Sequence, residues 1–262
     1  MGTTESCTLC FFKKGAVPAL ESDKLMSYAP TQMPLPKSLS EAPVPSSPER
    51  NIFLTAVASA TDRFLRLVND PLESDFDLAT EKDGVRVHTK DSLGGYIIRA
   101  EWRAAFSPKI YMEFLTDAGT RTMWDGNVQE LKVMETLEAD VQVFYQAYKK
   151  VFALSSRDLV VVAKKFECKG AYVDAFCSVE SSACPPRPGY VRAHIVTGGY
   201  YMEDLSQGSN IPLTRVISYT EGTCGGSVPK SLVKRVSAAN LPIFVKQLNE
   251  AFKQHVEKNS LS

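Results

Sequence analysis

Arg121 and Asp125 are the side chains whose types and spacing best suit the recognition of a charged ligand. They stand four residues apart, so on a short helix they would share one face and form an ion pair. An arginine oriented by an aspartate keeps N–H donors that can bind an anion such as a phosphate. The same pair can instead stabilise a helix end without binding a ligand, and the residues alone favour that structural interpretation.

The surrounding sequence predicts that this pair lies where a helix meets a sheet. Ser107 and Pro108 are typical of a helix start, and an apolar stripe at helical spacing follows them. Residues 127–135 and 141–150, after Asp125, have the interleaved pattern of two strands. Residues from about 228 to 256 show the apolar spacing of one long helix, which Pro242 should kink.

The chain as a whole predicts an α+β fold. A first helix ends near residue 69, and about eight or nine antiparallel strands precede the long C-terminal helix. We expect a curved antiparallel sheet that holds this last helix. Such a sheet has a large concave face, which a ligand can fill.

Composition excludes several classes of function. The 262 residues carry a net charge of +0, which argues against a nucleic-acid binder. The six cysteines and three histidines are scattered, so we expect reduced thiols in a cytosolic protein and no metal or cofactor. No G-x-S-x-G elbow, phosphate-binding glycine loop or Cys–His pairing occurs, so we expect no enzyme. No apolar run reaches the roughly 18 residues of a membrane span.

The N-terminal residues 1–14 have the pattern of an acylated membrane anchor. Gly2 is placed to accept a myristoyl group, because Ser6 occupies the preferred downstream position. One such chain anchors a protein only weakly, and Cys7 and Cys10 could add palmitoyl groups. The alternative is that this C-x-x-C pair is a redox or zinc motif, but it lacks the flanking elements and the second ligand pair that those need. We therefore expect the protein at the cytoplasmic face of a membrane.

Residues 15–49 are rich in proline, serine and alanine, a composition that cannot bury enough surface to fold alone. We interpret them as a flexible linker. The folded domain is then predicted over residues 50–258, and we expect it to act as a monomer.

Four motifs, in order, carry a resemblance to a known family. They are Trp124-Asp125, Ser156-Arg157-Asp158, Gly189-Tyr190-Val191-Arg192 and Gly225-Gly226-Ser227-Val228-Pro229-Lys230-Ser231-Leu232. With them, residues from about 51 to 256 resemble the START (steroidogenic-acute-regulatory-related lipid transfer) family, a helix-grip fold with a hydrophobic tunnel. Within the family the chain is similar to the phosphatidylcholine-transfer branch, which also has an arginine four residues before this aspartate.

The resemblance implies roles for individual residues. Arg121 would contact a lipid phosphate, and Asp125 would orient Arg121 and face the headgroup. Tyr145 would be one aromatic of a choline cage, while Leu159 and Val196 stand where two other cage aromatics are expected. A quaternary ammonium is held by several rings, so phosphatidylethanolamine or another phospholipid remains an alternative. The implied tunnel or cage positions are Trp124, Ala147, Leu159, Val161 and Val196, and the implied lid helix carries Leu232, Val236 and Phe244.

The function implied is the binding of a single lipid, a glycerophospholipid such as phosphatidylcholine, and its transfer or presentation between membranes. The lid helix and the loop at residues 152–154 would open at the membrane surface. A sterol or fatty acid is the alternative ligand, although Ala163 occupies the place of the arginine in the sterol branch. Two further classes of function stay open, a lipid-sensing scaffold without transfer and an enzyme of the wider helix-grip group.

Overall fold

The computed structural model describes residues 48–69, 76–150, 155–206 and 208–260. The predicted anchor, with Gly2, Cys7 and Cys10, lies outside the described residues, as does the predicted opening loop at 152–154. The first helix begins at Pro48, so it includes the last two residues that the composition assigned to the linker. Proline suits a first helical turn because its fixed backbone angle is already helical and its missing N–H is not needed there.

The described residues form four helices and ten strands. In chain order they are α1 (Pro48–Asn69), β1 (Asp77–Lys82), β2 (Val85–Ser92), β3 (Gly95–Ala104), α2 (Pro108–Thr116), α3 (Ala118–Trp124), β4 (Val128–Glu138), β5 (Val141–Tyr148), β6 (Ser156–Cys168), β7 (Ala171–Ser178), β8 (Tyr190–Arg192), β9 (His194–Asp204), β10 (Thr214–Thr223) and α4 (Lys230–Ser260).

The strands make one sheet in the order β1-β2-β3-β10-β9-β7-β6-β5-β4, in which all neighbours are antiparallel. The predicted antiparallel sheet with a long C-terminal helix is confirmed. The short β8 runs parallel to β6, and the alternation pattern did not separate it from β9. The break falls at Ala193, whose backbone N–H donates to the Asp158 carbonyl oxygen at 2.9 Å.

Tight hairpin turns follow from local sequence. Asp83 and Gly84 join β1 to β2 with φ angles of 53° and 74°. Lys169 and Gly170 join β6 to β7 with φ angles of 50° and 80°. Two successive positive φ angles match the twist of the flanking strands, which is why the Asp-Gly pair predicted a hairpin.

Each helical layer covers one face of the sheet. Helix α1 packs Phe53, Phe64 and their neighbours against one face of β5, β6, β7 and β10. Helix α4 packs Leu248 and Phe252 against the other face, together with Trp102 of β3. Because successive strand residues point to opposite faces, each strand contributes alternate side chains to the two layers.

The chain enters α4 through two glycines with positive φ angles, 68° at Gly225 and 64° at Gly226. A Cβ atom at Gly225 would lie 2.5 Å from the Arg192 carbonyl oxygen, so no other residue fits without displacing β8. Helix α4 contains Pro242 as predicted. Within the described ranges, no helix combines the length and apolar character needed to cross a membrane.

Candidate functional site

A cavity of about 260 Å³ lies between the sheet and α4, with α2 and α3 at one end. Its walls are mainly apolar, including Leu131, Leu159, Val161, Ile195 and Leu241. Apolar walls with a few polar groups are typical of small-molecule sites. The polar or charged side chains in the lining are Tyr96, Thr116, Arg121, Asp125, Asn127, Gln146, Tyr148, Lys165, Asp174, His194, Tyr200, Ser218, Thr220, Thr223, Ser237 and Asn240.

The Arg121–Asp125 ion pair predicted from spacing forms at the end of α3. Asp125 is 3 % exposed, and its Oδ2 lies 2.9 Å from Arg121 Nε and 2.8 Å from Nη2. The other oxygen, Oδ1, accepts from the backbone N–H and the side-chain amide of Asn127, both at 3.2 Å. Both oxygens of Asp125 are therefore occupied within the protein, so this carboxylate orients Arg121 and has little left for a headgroup.

Two aromatic rings hold the guanidinium of Arg121 in place. Its Cζ lies 4.9 Å from the Trp124 ring centroid and 5.1 Å from that of Phe244, which belongs to α4. Nη1 makes a long contact of 3.5 Å with the Leu115 carbonyl oxygen. These contacts use fewer N–H donors than a guanidinium carries, so the group can still donate to an anion in the cavity.

The charge of Arg121 is secured by its surroundings. Burial is the largest single effect and disfavours the cation, but the Asp125 carboxylate together with the phenols of Tyr200 and Tyr148 outweighs it, so the pKa of Arg121 lies above its ordinary value. Burial also raises the pKa of Tyr200, against the pull of the neighbouring Arg121 guanidinium, and that of Tyr148 to about 12. Both phenols are therefore neutral at physiological pH and can serve as hydrogen-bonding groups beside the arginine.

A second carboxylate, Asp174 of β7, lies on the cavity wall and was not predicted. It is 5 % exposed, and its Oδ1 has no hydrogen-bond partner among the described residues. Lys165 faces it across the β6–β7 pair but sends its Nζ towards the Thr116 carbonyl oxygen, at 3.4 Å. Burial raises the pKa of Asp174 to about 6, while Lys165 acts to lower it.

Strand register places the polar side chains of the cavity in a row. Lys165 is paired with Asp174, Asp174 with Tyr200, and Tyr200 with Ser218, so the row crosses β6, β7, β9 and β10. All four residues line the cavity. We call this set the polar row. Directly paired residues have neighbouring side chains, so the row forms one continuous polar strip on an apolar wall.

Some of the predicted tunnel positions line the cavity. Leu159 and Val161 do so from β6, and Val236 and Phe244 do so from α4. Leu232 does not, because it packs beside the core between α4 and the sheet. Trp124 also stays outside the cavity wall and stacks on Phe114, with ring centroids 6.0 Å apart, while holding Arg121.

The predictions for Tyr145 and Ala147 placed them on the wrong face of β5. Both are buried, at 2 % and 0 % exposure, in the core under α1. The Tyr145 hydroxyl accepts from Arg187 Nη1 at 3.3 Å on that side. Phe144 and Tyr148 line the cavity instead. A shift of one residue along a strand exchanges the two faces, which explains the error.

The prediction for Val196 is also wrong, because its side chain is 41 % exposed and outside the cavity lining. Its neighbours Thr197 and Ile195 pair with the consecutive residues Glu221 and Gly222, so Val196 is an extra residue in β9. Such a β-bulge interrupts the alternation of side chains. Ile195 occupies the cavity wall in its place.

The sequence did not identify Phe144, Tyr148, Phe176, Tyr200 or Asp174 as cavity residues. The one usable signal was Asp174, a lone charge within the otherwise uncharged strand β7. Its significance depends on the curvature and closure of the sheet, which alternation does not reveal. Among the described residues, no group of three His, Cys, Asp or Glu side chains is placed to hold a metal ion.

Comparison with known proteins decides the family. The START domain model matches residues 78–258, which include the cavity, the polar row and most of α4. The chain belongs to the START domain family. This match confirms the family resemblance that the four sequence motifs carried, and the START domain covers all ten strands except the first residue of β1.

Similar START structures reproduce the fold. The human StAR-related lipid transfer protein 5 superposes with a TM-score of 0.71 at 20% identity, covering 79% of this chain and 99% of that one. Human STARD10 gives a TM-score of 0.67 at 23% identity, covering 76% of this chain and 80% of that one. At these identities the likeness establishes the helix-grip fold and leaves the ligand open.

The relatives of this chain include lipid transfer proteins and a thioesterase. Mouse StAR-related lipid transfer protein 5 is 25% identical over 182 residues, 66% of this chain and 84% of the relative. Rat acetyl-coenzyme A thioesterase is 21% identical over 169 residues, 61% of this chain. The matched region spans only 30% of the thioesterase's length.

Proposed function

We propose that this START domain binds one phospholipid in its cavity and transfers or presents it between membranes. The observation that carries the proposal is Arg121, a buried arginine held by Asp125 and two rings with donors left for an anion. A phosphate offers strong acceptor oxygens to such a donor set. The names of the lipid transfer relatives support a lipid as the ligand.

The apolar walls would receive the acyl chains. Their burial contributes about 0.8 kcal/mol for each methylene group removed from water. Leu159 and Val161 of β6 and Ile195 of β9 are among the apolar residues of this lining. A cavity with both apolar walls and a buried arginine suits the amphipathic character of a phospholipid.

Lipid entry requires the cavity to open. Its volume of about 260 Å³ lies just below the roughly 300–1,000 Å³ of ordinary small-molecule sites, and a phospholipid is larger than most small-molecule ligands. Helix α4 is the natural moving part, because Val236 and Phe244 form one wall and Ile243 between them is exposed. Movement of α4 away from the sheet would widen the cavity without breaking sheet hydrogen bonds.

The sterol alternative rests on the apolar character of the cavity. The resemblance implies a buried Glu–Arg pair in the sterol branch, and here Ala163, which lines the cavity, stands at the place of its arginine. A sterol would leave the Arg121 donors without an anionic partner. We therefore propose a phospholipid rather than a sterol as the ligand. Extraction and identification of the lipid bound to the purified protein tests this choice.

We assign the chain binding rather than catalysis. The thioesterase similarity covers only 30% of that enzyme's length. The cavity carboxylate nearest Arg121 is fully hydrogen-bonded to Arg121 and Asn127, which suits orientation of a ligand better than proton transfer. Turnover of acetyl-coenzyme A by the purified domain would contradict this assignment.

We further propose that acylation at Gly2, Cys7 and Cys10 holds the START domain at the cytoplasmic face of a membrane. Residues 15–47 would then act as a tether that lets the domain reach a second membrane. The support is the sequence pattern alone. The intact mass of the protein from eukaryotic cells tests it, because an unmodified N-terminal peptide would contradict the anchor.

The test of the headgroup role is vesicle-to-vesicle transfer by Arg121→Gln. We expect transfer of phosphatidylcholine and phosphatidylethanolamine to fall about tenfold or more, the scale of a lost hydrogen bond to a charged group. Arg121→Lys keeps the cation but not the paired geometry, so it should fall between Gln and wild type.

Arg86→Gln is the matched control, because Arg86 forms an exposed ion pair with Glu81 away from the cavity. Thermal unfolding of every variant separates loss of the fold from loss of the ligand. Unchanged transfer by folded Arg121→Gln protein would refute the proposed role of Arg121. A sterol as the extracted ligand would refute the phospholipid assignment.

A further inference from the structure

The two carboxylates of the cavity differ in how completely their oxygens are hydrogen-bonded. Asp125 accepts hydrogen bonds at both oxygens, from Arg121 and Asn127. Asp174 is nine-tenths buried, lines the same cavity, and has an Oδ1 atom without a partner among the described residues. Buried carboxylates are normally paired, so an unpaired one facing a ligand cavity indicates a partner on the ligand.

We propose that Asp174 is a second polar subsite, which binds a primary ammonium group of the lipid headgroup and makes an aminophospholipid of the ethanolamine type the preferred ligand. This inference rests on the proposed binding of a phospholipid phosphate by Arg121. It assigns the acidic side of the headgroup site to Asp174 on β7, where the sequence had placed it at Asp125.

Hydrogen-bonding capacity favours a primary amine over choline. A primary ammonium carries N–H donors that can satisfy Asp174 Oδ1, whereas a quaternary ammonium has none. Rings that could surround a choline are also present, because Phe176 and Tyr200 line the cavity with centroids 6.4 Å apart. The N–H donors of a primary ammonium are therefore what favours it at Asp174.

The charges that line the cavity favour a zwitterion. Arg121 and Lys165 contribute two positive charges, and Asp125 and Asp174 contribute two negative ones, so these four groups sum to zero. An ethanolamine phospholipid brings one charge of each sign and keeps the balance. An anionic phospholipid would add an uncompensated negative charge in surroundings of low polarity.

Tyr200 connects the two charged sites, Arg121 and Asp174. It is the direct strand partner of Asp174, and its phenol lies within hydrogen-bonding reach of the Arg121 guanidinium. The phosphate and amine of phosphatidylethanolamine are joined by a short ethylene spacer, which suits a separation of one side chain.

Protonation agrees with this geometry. The pKa of Asp174 is raised to about 6 by burial, with Lys165 opposing. The other charged or titratable groups that line the cavity are Tyr96, Arg121, Asp125, Tyr148, His194, Tyr200 and Cys224. At neutral pH the carboxylate is mainly ionised and therefore available to an ammonium. A bound cation would lower its pKa further.

The decisive experiment varies the number of N–H donors at constant charge. Wild-type protein is offered vesicles that contain equal amounts of phosphatidylethanolamine, its N-methyl and N,N-dimethyl derivatives, and phosphatidylcholine, and the bound lipid is read by native mass spectrometry. We expect occupancy to fall with each added methyl group, by about tenfold over the series. The same experiment with Asp174→Asn should reduce this ratio to near unity.

Asp62→Asn, an exposed carboxylate on α1, is the matched control and should keep the wild-type ratio. If Asp174→Asn fails to fold, Asp174→Glu provides the second variant and should shift the ratio by moving the carboxylate. Wild type that binds phospholipids without regard to methylation would overturn the inference while leaving the proposed function intact. A preference for less methylated headgroups that persists in Asp174→Asn would also overturn the inference. Wild type that binds no phospholipid at all would overturn both.

Discussion

The two faces of the START sheet are built from the same strands, but their side chains are packed differently. Under α1, apolar side chains fill the space, and the buried Thr197 Oγ1 donates to the Ala60 carbonyl oxygen at 3.0 Å. Under α4, a cavity of about 260 Å³ remains, and Asp174 Oδ1 has no partner among the described residues. The α1 face supplies stability, and the α4 face leaves volume and hydrogen-bonding capacity for a ligand.

The largest expected effect compares one phenylalanine from each face. Phe64 of α1 is 0 % exposed, so Phe64→Ala should lower the free energy of unfolding by about 3–5 kcal/mol. Phe176→Ala should cost clearly less, about 1–2 kcal/mol, because its ring already borders the cavity. Urea denaturation of the lipid-free protein measures both changes. Equal losses would mean that the α4 face is packed as tightly as the α1 face.

A smaller effect concerns the pH dependence of stability at Asp174. Its pKa in the folded protein, about 6, exceeds the ordinary value of 3.8, so the native state binds this proton more tightly than the unfolded state. The contribution of Asp174 to the stability of the wild type therefore falls as pH rises from about 4 to about 6, by up to roughly 1–3 kcal/mol. Asp174→Asn removes this cost, so its advantage over wild type should grow across that window and then level off.

Denaturation of lipid-free protein at a series of pH values measures this difference, and Asp62→Asn is the control without such a trend. A constant difference between Asp174→Asn and wild type from pH 4 to pH 7 would show that the carboxylate is already satisfied. The α4 face would then resemble the α1 face in its polar groups as well.

The smallest expected effect lies at the β9 bulge and tests where the cavity face ends. Val196→Thr changes an exposed side chain and should alter the free energy of unfolding by less than about 0.5 kcal/mol, with lipid occupancy unchanged. Ile195→Thr places a hydroxyl on the cavity wall and should reduce lipid occupancy. Native mass spectrometry after vesicle exposure compares the two. A loss at Val196 that matched the loss at Ile195 would restore Val196 to the tunnel.

Helical spacing carried more information about the site than strand alternation did. Arg121 and Asp125 were predicted to pair because four residues make about one helical turn, and the ion pair forms. Tyr145 and Ala147 were placed on the wrong side because strand alternation has two equivalent phases. The bulge at Val196 has no distinct residue signature, so the sequence could not locate it.

The fold itself was predictable from patterns that repeat along the chain. The hairpin at Asp83 and Gly84 and the last helix follow from local preferences that the tertiary structure does not oppose. Asp174 was not predictable as a site residue, because one acidic residue in a strand usually faces solvent. Its burial results from strands far apart in sequence, and from α4 closing over them.

The contact between Arg121 and Phe244 links headgroup affinity to the position of the last helix. Phe244 belongs to α4, so an outward swing of that helix removes one of the two rings that immobilise the guanidinium. Under the proposed function, the binding of a lipid phosphate by Arg121 would then weaken as the cavity opens. By thermodynamic reciprocity, a bound headgroup that restores the contact favours the closed helix by the same factor. A membrane that draws α4 outward would thus favour release of the bound lipid at its surface. In water, the bound lipid would instead favour the closed position of α4.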